Sequence, residues 1–194
     1  MSRSRAEMIE ATRTKLLATA RHAFQHAGYA ATSMDDLTAS AGLTRGALYH
    51  HFGDKQGLLV AVVEQIDGEM DQRLNAVSAQ ATAPWDALRG RCRAYLRMAT
   101  EPDIRRIVLQ DARAVLGPAS DAAQQQCIAS LAGLLHGLMT AHIIEDADPH
   151  ALARLVNGSL TDAAFWIPDA PEDAPRLEQA LHALDLLLRG LRRR

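Results

Sequence analysis

The 194-residue sequence predicts an all-α protein: an N-terminal three-helix helix-turn-helix domain followed by a larger helical domain, about nine helices in all. Three observations carry that expectation. Aromatic residues make up only 4% of the chain while Ala, Leu and Arg dominate, a composition that favours helices over sheets. Glycine and proline cut the chain into helix-sized pieces. Within those pieces apolar residues recur at i, i+3 and i+4 spacing.

The first helix is expected from about Ala6 to Ala27, stopped by Gly28, with Leu16, Leu17, Ala20, Ala23 and Phe24 as its apolar stripe. Residues 33–55 hold the most information. Ser33 is placed to cap a second helix, with Asp36 three residues on completing a capping-box pattern. Residues 39–43 make a tight turn, in which Gly42 is free to take the left-handed conformation that ends a helix. Thr44 caps a third helix that runs to about Phe52, before Gly53 stops it. At ~1.5 Å per residue this helix is roughly 10 Å long, which fits a B-DNA major groove about 12 Å wide. Ala47, Leu48 and Phe52 give it an apolar side and leave Thr44, Arg45, Tyr49, His50 and His51 for other surroundings. The pattern is a helix-turn-helix.

Thr32-Ser33, Ala41-Gly42-Leu43, then Gly46-Ala47-Leu48-Tyr49-His50-His51-Phe52 and Lys55, followed by Leu58-Leu59, resembles the DNA-binding domain of the TetR family of transcriptional regulators. The likeness covers about residues 10–65; beyond them it is one of architecture. It implies a homodimeric repressor that reads a near-palindromic double-stranded DNA operator through paired recognition helices. A small-molecule effector of unknown identity, held in the larger domain, would release it. Residues 1–54 are expected to bind DNA and residues 55–194 to bind effector and dimerise.

Arg45 and Gly46 lie in the first turn of the recognition helix. An arginine there can bond guanine bidentately, worth roughly 1–3 kcal/mol of discrimination, and a glycine lets the backbone approach; a phosphate contact alone is the other reading of Arg45. Ser33, Thr44, Tyr49 and Lys55 are candidate backbone clamps beside helix N-termini. Ser33 and Thr44 are equally useful caps in any helix, and Tyr49 can simply pack. His50 is expected at the groove or a phosphate, and His51 either at DNA or orienting the turn.

A fourth helix, from about Lys55 to Ala79, carries Leu58, Leu59, Val62, Val63, Ile66, Met70, Leu74 and Val77. At roughly 37 Å it is long enough to link the DNA-binding unit to the larger domain. Pro84 opens a fifth helix to about Thr100, Pro102 a sixth over residues 103–116, and residues 120–144 make a seventh. Pro149 starts an eighth over 150–167, the proline-rich stretch 168–175 is a loop, and residues 176–193 form the ninth. Leu177, Leu181, Leu184, Leu188 and Leu191 on the ninth helix, with Ala180 and Leu187 widening the seam, are expected to pair with a second copy. Leu152, Leu155, Val156, Ser159, Ala163 and Trp166 on the eighth join them in a four-helix interface. The other reading is that these faces complete one subunit's own core. Candidate effector contacts are Tyr95, Met98, Gln110, Asp111, His136, Met139, Asn157, Asp162, Phe165 and Trp166, each also readable as a core or interface residue.

The net charge of −2 argues against a protein that coats nucleic acid. Residues 1–55 nevertheless carry seven Lys/Arg against five acids, leaving the acidic excess to the remainder. No apolar signal-peptide core precedes residue 14, and the longest apolar run, Leu58–Val63, is far below the ~20 residues that cross a bilayer. A cytoplasmic protein with no membrane association is expected. Cys92 and Cys127 make no disulfide or metal framework. His22 and His26, four apart, lack a third ligand and read as a solvated face. Arginines 89, 91, 93 and 97 around Cys92 would suit a redox-active thiol, though a buried, inert thiol is the favoured reading. No nucleophile–base pair, phosphate loop or paired carboxylate stands out, so neither an enzyme nor a cofactor is expected. The alternative is a helical interaction module or small enzyme whose helix-turn-helix is vestigial.

Overall fold

The computed structural model describes residues 4–117, 121–169 and 173–193. The expected start of the seventh helix near Ser120 and residues 170–172 of the expected proline loop lie outside these. The described residues form nine α-helices: α1 (Arg5–Ala27), α2 (Met34–Ala41), α3 (Arg45–Phe52), α4 (Lys55–Gln80), α5 (Pro84–Met98), α6 (Arg113–Leu116), α7 (Asp121–Thr140), α8 (Pro149–Trp166) and α9 (Asp173–Gly190). A π-helical stretch, Ile104–Ala112, runs directly into α6. The fold class is the all-α one expected, and among the described residues the strand-like pairing is a single bridge between Ile144 and Arg192.

Two compact units divide the chain. The first holds residues up to 66 together with 102–117; the second holds 67–101 and the described residues from 121 onward. The first unit thus runs past residue 54, into α4 as far as Ile66, and takes in the π-helix.

In the first unit, α1 begins with a complete capping box. The Glu7 N–H donates to Ser4 Oγ (3.2 Å) and the Ser4 N–H to Glu7 Oε2 (2.6 Å). The box expected at Ser33 is only half made. The Asp36 N–H donates to Ser33 Oγ (3.0 Å), but the Ser33 hydroxyl then donates to the Asp36 carboxylate (2.6 Å). Aspartate is one methylene shorter than the glutamate that closes the box at Ser4. Leu16, Leu17, Ala20 and Phe24 of α1 are buried, as are Leu37 and Ala41 of α2 and Leu48 of α3.

The sixth helix is not the ordinary α-helix expected over 103–116. Its buried residues are Ile104, Ile107 and Ala112. In an α-helix, at 3.6 residues per turn, positions five apart point in different directions; the wider π turn brings Ile107 and Ala112 back to one face. The stretch is tied to its unit at both ends. Asp103 accepts two bonds from the Arg21 guanidinium (3.1 and 2.6 Å), and Asp111 accepts the Tyr29 N–H (2.7 Å). Burial pushes the Asp103 carboxyl up, but Arg21 and the Ile104 N–H outweigh it and hold the group below the usual carboxylate range.

The second unit is built on one apolar core: Leu88, Cys92 and Leu96 of α5, Leu131, Leu135 and Leu138 of α7, Ala153 and Leu160 of α8, and the inner face of α9. Of the two readings of the α9 leucines, this core takes the second for Leu181, Leu184 and Leu188. Leu181, Leu184 and Leu188 are 1%, 6% and 2% exposed within a single protomer, and Leu177 and Leu191 pack half-buried on the same core. The physical reason is Asp185, which lies on the same side of α9. It accepts two bonds from Arg89 (2.9 and 2.8 Å) and one from Arg93 (2.7 Å), both on α5. These bonds hold the leucine face of α9 against α5. Helix α7 ends earlier than expected, at Thr140, because His142 turns left-handed (φ 54°) and the Ile143 N–H caps the Leu138 carbonyl at 2.9 Å.

Because Leu181 belongs to the protomer's own core, Leu181→Ala is expected to destabilise the fold by about 2–5 kcal/mol. Urea unfolding at fixed protein concentration measures it. A change confined to self-association, with stability untouched, would return Leu181 to the interface.

Candidate nucleic-acid interface

The recognition candidate, α3, is held from behind. Leu48 is fully buried, and Phe52 is half-buried with the Arg13 guanidinium 5.8 Å from its ring centroid. At the turn before it, Gly42 is left-handed (φ 61°, ψ 38°), and the Leu43 N–H closes α2 on the Thr38 carbonyl at 3.0 Å. The Thr44 side chain then accepts the Ala47 N–H (3.2 Å) and starts α3. With its back so fixed, α3 turns Arg45, Gly46, Tyr49 and His50 to solvent, positions that share one helical face. Ser33 and Thr44 are exposed, and each is occupied as a cap. His51 is half-buried between the rings of His50 and Phe52.

The structure adds residues that sequence reasoning passed over. Arg45 is paired with Asp35 on α2: Nη2 donates to Asp35 Oδ2 (2.6 Å), and Nε forms an ion pair with Oδ1. Lys55 reaches inward, with Nζ 3.3 Å from the Ala30 carbonyl and 4.4 Å from the Tyr29 ring centroid. It pins the loop before α2 as well as standing at the start of α4. The cap of α4 is Asp54, whose Oδ1 accepts the Gly57 N–H at 2.7 Å. At Gly57 an added Cβ would fall 2.1 Å from the Phe52 carbonyl oxygen. Only glycine lets α4 start this close to the end of α3. Asp54-x-x-Gly57 was a visible cap signal; the close approach at Gly57 was not visible.

The candidate effector residues are divided between the two units. Tyr95 and Asn157 line a cavity of about 20 Å³ in the second unit, together with Arg91, Cys92, Cys127 and apolar neighbours. Gln110 and Asp111 belong to the first unit, and Asp111 is engaged by the Tyr29 N–H. Met98 and Met139 are buried, His136 and Asp162 are exposed, and Phe165 is half-buried. Trp166 is exposed, with the Arg176 guanidinium 5.0 Å from its ring centroid. The dominant polar group at the cavity is Arg91, which is 4% exposed. It donates to Asn75 Oδ1 (2.8 Å) and Asp71 Oδ1 (3.2 Å). Asp71 and Asn75, four apart on α4, were the sequence signal for a buried cation facing them.

Both thiols also line this cavity. Burial pushes Cys92 up to about 12, outweighing the pull of Arg91, and raises Cys127 in the same direction. The surrounding arginines therefore do not activate Cys92; Arg89 and Arg93 are spent on Asp185. His22 and His26 stack at 4.1 Å, and among the described residues no group of three His, Cys, Asp or Glu could hold a metal. No described helix is long and apolar enough to cross a membrane.

Two family descriptions match this chain: "Bacterial regulatory proteins, tetR family" over residues 16–62, and "Tetracyclin repressor-like, C-terminal domain" over residues 85–191. The crystal structure of a TetR-family transcriptional regulator from Pectobacterium atrosepticum is 59% identical, covers 99% of each chain and superposes with a TM-score of 0.93. The transposon Tn10 TetC protein of Escherichia coli is 27% identical over 89% of this chain and 88% of its own length. The HTH-type transcriptional regulator TtgR of Pseudomonas putida is 32% identical over 41% of this chain and 38% of its own length.

A thiol titrating at about 12 is thiolate in only about one molecule in 10⁴ at pH 8. Iodoacetamide is therefore expected to spare Cys92 in the native protein at pH 8, to label it in urea, and to label it faster as pH rises. Native labelling at the unfolded rate would contradict its burial.

Proposed function

The chain belongs to the TetR family of transcriptional regulators, and on that premise we propose that it is a dimeric repressor of the cytoplasm, released from its operator by a small molecule. The observation that carries the DNA half is the solvent face of α3, where Arg45, Tyr49 and His50 stand out from a helix anchored by Leu48. A helix presented this way enters the major groove with its first turn toward the base edges. Arg45 reads a base, Gly46 admits the backbone, and Tyr49, His50 and Thr44 contact the phosphates that set the register. Ser33 and Lys55 act from the flanks, Ser33 as the cap of α2 and Lys55 as the pin of the loop before it.

Dimerisation is assigned to the exposed part of the expected α8–α9 interface. Leu155 is 71% exposed, Leu187 63%, Leu186 53% and Trp166 43%. An apolar set on the outer faces of α8 and α9 is what a two-fold, patch-on-patch contact needs. Leu152, Val156, Ser159 and Ala163 extend it along α8.

The effector reading is supported by the cavity at Arg91, Tyr95 and Asn157. Its volume, about 20 Å³, has room for about one water, whereas small-molecule pockets span roughly 300–1,000 Å³. An effector therefore binds by parting α5, α7 and α8, and the energy of binding is spent on moving helices. Because α4 contributes residues to both units, it is the proposed path for that movement. Coupling of this kind is typically worth about 1–3 kcal/mol.

Two measurements test this reading. On duplexes that the wild type selects from a randomised pool, Arg45→Ala is expected to lose about 1–3 kcal/mol of binding and to relax preference at one position per half-site. Unchanged affinity and preference would remove α3 from the groove. Burying charge in an apolar contact is costly, so Leu155→Glu with Leu187→Glu is expected to yield a helical monomer by sedimentation. A dimer that persists would place the interface elsewhere.

A further inference from the structure

The geometry points to Asp35 as the residue that aims Arg45, making it a specificity-determining partner in base recognition although it stands on α2, outside the recognition helix. This rests on Arg45 reading a base, as proposed above. Arginine has five N–H donors in a planar fork. Asp35 takes the lateral edge of that fork, with Oδ1 on Nε and Oδ2 on Nη2 at 2.6 Å. Two hydrogens on Nη1 and one on Nη2 are left. One from each nitrogen lies side by side along the outer edge, the pair that matches the O6 and N7 acceptors of guanine. Asp35 therefore occupies the donors that a base does not need and leaves those that it does.

Two further facts fit this use of the carboxylate. Both side chains are about 60% exposed, at 62% for Arg45 and 60% for Asp35, and ion pairs so exposed contribute little to stability. The pair also spans ten residues, from the first turn of α2 to the first turn of α3. It fixes the guanidinium relative to the turn rather than to its own helix. A negative charge at that point also repels phosphate, which a free arginine would otherwise contact without regard to sequence. Its neighbour Asp36 is engaged with Ser33 and does not share the task.

The test uses duplexes selected from a randomised pool by the wild-type protein, each half-site then altered one base at a time. The base read by Arg45 is the guanine whose replacement by adenine weakens the wild type by about tenfold or more but leaves Arg45→Ala indifferent. At that guanine, Asp35→Ala is expected to reduce the penalty to less than about threefold while binding a scrambled duplex more tightly than the wild type does. Asp35→Asn, which keeps the shape and loses the charge, is expected to share that loss, with circular dichroism showing both variants folded. A full guanine penalty in folded Asp35→Ala overturns the role of Asp35 and leaves Arg45 as a reader. If no guanine is read through Arg45 at all, the underlying reading fails, and this one with it.

Discussion

An eight-residue helix has no stability of its own in water, because the cost of nucleating it outweighs the few bonds it closes. Helix α3 exists only because Leu48 is entirely withdrawn from solvent and the Thr44 side chain satisfies the Ala47 N–H in its first turn. Everything functional in the first unit stems from that dependence. One side of α3 has to be apolar and hidden, so the other is released from packing duty. The face left to solvent and the face that makes the helix are therefore specified together. Disturbing Leu48 and disturbing Arg45 would act on the protein in different ways: the first removes the helix, the second changes only its outward face.

The second unit handles charge differently. Arg91 is buried and matched by Asp71 and Asn75, while Arg89 and Arg93 converge on Asp185. These polar side chains together decide which way α5, α4 and α9 face. An apolar core alone would tolerate α9 rotated by one ridge; the Asp185 carboxylate does not. Removing one partner from such a set costs more than the pair contributes, since the remaining charge is left without compensation. Burial, outweighing the pull of the nearby Arg91 guanidinium, is what raises both thiols in the cavity and leaves them poor nucleophiles.

Much of this was legible in the sequence, and the reasons are local. Ser33, Gly42, Thr44 and Gly53 each do one thing within a few residues of themselves, so reading along the chain suffices. The heptad-like leucines of α9 were equally visible, but spacing shows only that a face is apolar and not what covers it. Asp185, beside Leu184 and Leu188 on that face, was the clue to an intramolecular partner, and it gains meaning only with Arg89 and Arg93 opposite. The π turn over Ile104–Ala112 escaped because its signature is a five-residue gap between Ile107 and Ala112, easily absorbed into an ordinary helix. The effector candidates are less legible for a related reason: polar interruptions in helices mark caps, ion pairs and surfaces as readily as cavities.

Where α3 hands over to α4, a single hydrogen atom at Gly57 stands in the space that any larger group would contest with the Phe52 carbonyl. One backbone thus lies directly on another at this corner, with no side chain between them to yield. Any substitution at Gly57 would have to open the angle between α3 and α4, whereas the outward side chains of α3 can change without touching it.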